Sequence, residues 1–100
     1  MRTPILNLRI SSDEALTRDT MRVAQGHIAA GNAPETARRL YARAVAYQAS
    51  GALVDARRVA VESLEYSIGV RDPRVALVRR AELDPSARAA LAQLAHDATW

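Results

Sequence analysis

The sequence predicts an all-α protein of about five helices. They pack as antiparallel hairpins, in a small bundle or a short right-handed helical stack, behind an extended N-terminal arm. Three observations predict it. Ala occurs 21 times in 100 residues, and Ala is the strongest helix former. Apolar residues recur at three- and four-residue spacing between breakers. The breakers are Gly31, Gly51 and Gly69 together with two Asp-Pro pairs, and they leave room only for short turns. Short turns make successive helices antiparallel neighbours.

Each element has a local cause. Residues 1–10 read as the arm, and residues 11–100 as one helical domain. Pro4 biases Thr3 toward extended geometry. Beyond it Leu6, Leu8 and Ile10 alternate with Ile5, Asn7 and Arg9, a two-residue period. Ser11 with Glu14 three residues on forms a capping box for the first helix. Its stripe is Leu16, Thr20, Val23, Ala24, His27 and Ile28, and Gly31 and Asn32 end it. The second helix opens near Pro34 with stripe Ala37, Leu40, Tyr41, Ala44, Tyr47 and Gln48, and stops at Ser50-Gly51. The third carries Leu53, Ala56, Val59, Ala60, Ser63 and Leu64, and stops at Gly69. Asp72-Pro73 and Asp84-Pro85 each supply a cap and a preset first residue for the fourth and fifth helices.

Composition narrows the function. The chain has no Cys, so disulfides, thiolate nucleophiles and Cys-based zinc sites are excluded. No apolar run is long enough for a membrane span. Arg9 and Asp13 bracket the apolar start, which excludes a secretory core, and a cytoplasmic location is expected. All 14 basic residues are Arg, and the net charge is +3. The arm and the five helical segments alternate in sign, so no single basic stripe forms. A core of Ala and Leu, with no Phe, brings backbones close but buries little area. Such a thin core favours self-association or a partner.

Residues 37–65 resemble a tetratricopeptide repeat. Leu40, Ala44 and Tyr47 stand where that family places a bulky residue, a small one and Tyr in its first helix. Gly51 follows at the turn, Ala56 opens the packing face of the second helix, and Ser63, Leu64 and Glu65 close it. The departures are a missing aromatic at the start, Ala60 in place of an aromatic, and Ile68 in place of the closing proline. One repeat cannot cover its own faces, so the other helices have to. The resemblance implies a peptide groove lined by the first helix of the pair, here Arg38, Tyr41, Val45 and Gln48. In the alternative arrangement Tyr41 and Val45 pack on the first helix and Arg38 is solvated.

The arm followed by two helices is also similar to the ribbon-helix-helix repressors. That resemblance implies a strand paired across a dimer axis and laid in the DNA major groove. Asn7 and Arg9 would then read base edges. The first helix is about a turn too long for that fold, and three further helices have no role in it.

Other chemistry is sparse. His27 lies on an apolar stripe and His96 near a helix C-terminus, where a cation suits the dipole. Neither has a second ligand at metal spacing on its own helix. Glu62 and Glu65, with Arg57 and Arg58 one turn earlier, read as a solvated ion-pair face. No glycine-rich phosphate loop or nucleophile elbow is present, and no cofactor is expected. Val54, Val61 and Ile68 recur every seven residues beside the main stripe of the third helix. They are candidates for self-association, covered either by the last two helices or by a second copy. Trp100 is a further docking candidate. The function expected is non-enzymatic: an adaptor, chaperone-like subunit or small inhibitor that presents a helix face or groove to a partner protein. A dimeric ribbon-helix-helix DNA-binding regulator is the alternative.

Overall fold

A computed structural model describes the backbone of residues 4–97 and the side chains of residues 13–97. It is all-helical, with α1 Pro4–Ala29, α2 Glu35–Ala49, α3 Leu53–Ile68, α4 Pro73–Arg80 and α5 Pro85–Asp97. No strand occurs among the described residues. The breakers work as their chemistry requires. Gly51 has φ +85° and Gly69 φ +95°, a region that residues with a Cβ avoid. Asp72 accepts from the Arg74 amide at 2.8 Å and Asp84 from the Ser86 amide at 3.0 Å. Both Asp-Pro pairs are thus N-caps followed by a proline in the first turn.

One boundary differs from expectation. α1 begins at Pro4, so its backbone takes in residues 4–10, where alternation predicts an extended arm. A proline is tolerated at a first helical position. The side chains of Asn7 and Arg9 lie outside the described residues, as does Trp100.

The helices do not stack as a simple series of hairpins. α2 and α3 form a hairpin, but α1 packs chiefly on α3 and also meets α5 and α2. α1 and α3 are therefore the central pair. On one side Met21 and Ala24 of α1 meet Ala44 of α2 and Val59 and Ala60 of α3, with Leu40, Tyr41 and Tyr47 around them. On the other side Leu16 and Val23 of α1 and Val61 and Leu64 of α3 join Val75, Val78, Leu91 and Ala95 of α4 and α5. Small residues make the α2–α3 crossing tight. Ala37, Ala44, Ala56 and Ala60 are each 0% exposed, and Ser63 Oγ donates to the Ala37 carbonyl at 2.7 Å. That bond satisfies a hydroxyl with no access to water.

A buried cation ties α1, α3 and the α4–α5 turn together. Arg57 of α3 is 4% exposed. Its Nε and Nη2 donate to the two carboxylate oxygens of Glu82 at 2.8 and 3.3 Å. Its Nη1 donates to Asp13 Oδ1 at 3.1 Å and to Thr17 Oγ1 at 2.7 Å. One guanidinium thus joins α3, α1 and the α4–α5 turn, and the Glu82 end is a bidentate fork. The expectation of a solvated Arg57–Arg58 face holds for Arg58 alone. Arg58 lies at the surface against Asp55 and Glu62, whereas Arg57 shares the buried side of Val61 and Leu64. Arg88 secures the same corner from α5, donating to the carbonyls of Ala81 at 2.9 Å and Glu82 at 3.2 Å.

Two stability predictions follow from this packing. Arg57→Ala leaves Thr17 buried without its donor and two carboxylates without their cation. It should cost about 2–4 kcal/mol, below the full penalty of a wholly buried pair because both carboxylates still reach water. Arg57→Lys, which has no fork, should recover less than half of that in urea unfolding. Ala60→Leu places a branched side chain at the closed crossing and should cost about 1–3 kcal/mol, read as a lower Tm with the helical circular dichroism retained.

Candidate functional site

The groove residues expected from the sequence divide into two pairs. Tyr41 and Gln48, seven apart on α2, are half-buried and turn toward α1. With Arg18, Met21, Arg22 and Gln25 of α1 they line a hollow of about 280 Å3. Arg38 and Val45 are exposed and do not line it. The Arg38 guanidinium instead donates to the Ala33 carbonyl at 2.8 Å, at the start of its own helix. The groove therefore lies between α1 and α2, and α1 supplies most of its wall.

Its chemistry is cationic and amphipathic. Met21 is buried among Ala24, Ala44, Val59 and Ala60 and gives the hollow an apolar base. Arg18 and Arg22, four apart on α1, share one edge of it, with Arg18 Nε 3.8 Å from Asp19 Oδ1. Among the described residues no carboxylate lines this hollow. Tyr41, Gln25 and Gln48 add neutral hydrogen-bonding groups. Burial pushes the Tyr41 phenol above its ordinary value, so it stays a neutral donor at physiological pH.

Arg22 also anchors the far side of α1. Its Nε donates to the Ala95 carbonyl of α5 at 2.8 Å. Arg18 and Arg22 border a second hollow there, of about 420 Å3, with Asp19, Ala92, Ala95 and His96. Burial pushes the Asp19 carboxyl above its usual range, and nearby Arg18 partly opposes this. The two arginines thus form a ridge shared by both hollows. Sequence reasoning missed them as groove residues because it took α2 alone as the lining helix. The available signal was their four-residue spacing beside Met21.

The heptad residues separate as well. Val54 is exposed, Val61 is buried in the core with α4 and α5, and Ile68 packs partly buried on that core. They do not form one open stripe, because α4 and α5 cover its middle.

The two histidines differ in setting. His96 is exposed near the end of α5. His27 is half-buried, and its Nε2 lies 3.3 Å from Arg74 Nη1. A guanidinium can only donate, so Nε2 accepts and the ring is neutral. Arg74 is itself held by Asp72, with Nη2 to Oδ2 and Nε to Oδ1 at 2.8 and 2.9 Å. The Asp72 carboxyl is pulled down to about 2, chiefly by its hydrogen bonds from Arg74. Burial first, and the Arg74 charge second, push the His27 imidazole below its ordinary value of 6.5, while Asp72 opposes them. This cluster links the end of α1 to the start of α4. Among the described residues no group of three His, Asp or Glu side chains is gathered for a metal ion. No helix there is long and apolar enough to cross a membrane.

The chain matches no protein-family model, no curated protein and no solved structure.

The His27 cluster gives a pH prediction. The folded state prefers neutral His27, so its contribution is complete above the unfolded value of 6.5. It is lost as pH falls through 6.5 toward the lowered folded value. Thermal melts between about pH 7.5 and 5.5 should show Tm falling in the wild type and a flatter profile in His27→Gln. The Asp72 contribution is lost in a separate window, between 3.8 and about 2.

Proposed function

We propose that the protein is a non-enzymatic interaction module of the adaptor, chaperone-like or small-inhibitor kind. It takes an acidic peptide segment of a partner protein in the groove between α1 and α2. One observation carries this reading: Arg18, which is exposed and only loosely paired with Asp19 at 3.8 Å, stands with Arg22 at the border of a hollow whose base is the buried Met21. An extended segment would place an apolar side chain over Met21 and a carboxylate against Arg18 and Arg22. The guanidinium fork suits a planar carboxylate. Tyr41, Gln25 and Gln48 supply partners for the segment's backbone. The tetratricopeptide-like spacing of Leu40, Ala44, Tyr47 and Gly51 supports the reading by accounting for the tight hairpin that presents Tyr41 and Gln48.

Selection from a random displayed-peptide library tests the proposal. Enriched peptides should carry an acidic residue beside an apolar one. Arg18→Glu should weaken their binding by roughly 10- to 100-fold, the range set by loss of a charge-assisted hydrogen bond. Gln48→Ala should weaken it less, and neither change should shift the helical circular dichroism. No enrichment, or enriched peptides indifferent to Arg18→Glu, would refute the groove.

A further inference from the structure

The hollow between α1 and α5, of about 420 Å3, has Arg18, Asp19 and Arg22 on one wall and Ala92, Ala95 and His96 on the other. Contacts along this seam set the register of the two helices. Leu16 and Asp19 border the same shallow opening as Ala89 and Ala92, and a turn further on Arg22 donates to the Ala95 carbonyl. α1 and α5 therefore run in the same direction here, and each turn of α1 meets the turn 73 residues later. Ala15, Asp19, Arg22 and Gly26 share the face of α1 that borders α5, at spacings of four, three and four. Gly26 is buried. A glycine inside a helix is destabilising, and a buried one marks a close approach. By the register, the residue opposite Gly26 is Thr99, just past the end of α5 at Asp97.

We propose that residues 98–100 follow α1 beyond Asp97, with Thr99 against Gly26 and the Trp100 indole seated in the α1–α5 hollow over Arg22. Position selects this occupant. Trp100 stands four residues after His96 and eight after Ala92, so a helical course puts all three on one face. Ala92 and His96 already line the hollow. Side chains of a helix lean toward its N-terminus, which carries the indole back over the opening. The segment is long enough, since three residues span about 5 Å as helix and about 10 Å when extended. The chemistry agrees. An indole attracts a guanidinium through its ring face. Such stacking uses the flat face of Arg22 rather than its N–H groups, so the bond to Ala95 is kept. The small side chains of Ala92 and Ala95 leave room for the ring. A diffusible anion would meet the Asp19 carboxylate on the wall that carries the arginines, whereas a neutral ring tolerates both signs of charge. The docking of Trp100 is independent of what the α1–α2 groove binds.

Trp100 is the only tryptophan in the chain, so tryptophan fluorescence reports this site alone. In the native full chain the emission should lie to the blue of the urea-unfolded chain and should resist quenching by acrylamide. Ala92→Arg fills the hollow, and Arg22→Gln removes the guanidinium under the ring. Ala92 and Arg22 are exposed, so both variants should keep the helical circular dichroism. Each should return the emission and the quenching most of the way to the unfolded values. Ala90→Arg, at an exposed alanine of the same helix that does not line the hollow, should leave both unchanged. A native emission that matches the unfolded chain overturns the proposal. So does a shielded indole indifferent to Ala92→Arg and Arg22→Gln, since Trp100 then docks elsewhere. Shielding that is lost on dilution overturns it too, since Trp100 then docks on a second copy.

Discussion

The arrangement of the helices depends on one buried guanidinium. Arg57 lies where α1, α3 and the α4–α5 turn meet, and no apolar side chain could join all three. A buried cation is costly unless its donors are largely used and a counter-charge is close. Arg57 places four hydrogen bonds on Glu82, Asp13 and Thr17, two of them carboxylates. The same geometry specifies the fold. Sliding α1 along α3 by one turn would strand the Nη1 donor, and moving the α4–α5 corner would strand the fork. Apolar contacts between alanines tolerate such shifts far better, since they carry little directional information. In a core poor in large side chains, the directional network fixes the register that the alanines leave loose.

The thin core has a second consequence. Alanine crossings bring α2 and α3 so close that their larger side chains are displaced to the margins. Tyr41 and Gln48 turn toward α1, where Met21 closes the base of the hollow. On the opposite side Val61 and Val78 are just covered, while Val54 and Leu83 are not. The two openings thus have a common origin: helices that approach closely at their small residues diverge elsewhere and leave shallow openings between them. Arg18 and Arg22 border the first, and Arg58, Glu62, Arg79 and Glu82 the second.

The Asp72–Arg74–His27 cluster performs at the α1–α4 junction what Arg57 does in the interior, but near solvent and with a titratable end. Its strength rests on Asp72, whose carboxylate both caps α4 and holds the Arg74 guanidinium. The proton state of His27 follows from that arrangement, because a guanidinium held in place by a carboxylate can only donate to the ring.

Helix number, the helix ends at the glycines and Asp-Pro pairs, and most of the buried alanines were legible in the sequence. Their causes are local: glycines where φ must be positive, Asp-Pro pairs where amides need caps, and Ala, Ser and Leu at helical spacing on α2 and α3. Only the tertiary structure decided which helix lies beside which. It put α1 chiefly on α3, buried Arg57 while leaving Arg58 in water, turned Tyr41 and Gln48 to the groove but Arg38 and Val45 away from it, and placed Val61 under α4 and α5. Those outcomes depend on partners far apart in the chain. Periodicity tells which residues share a face of a helix, but it does not tell which other helix that face will meet.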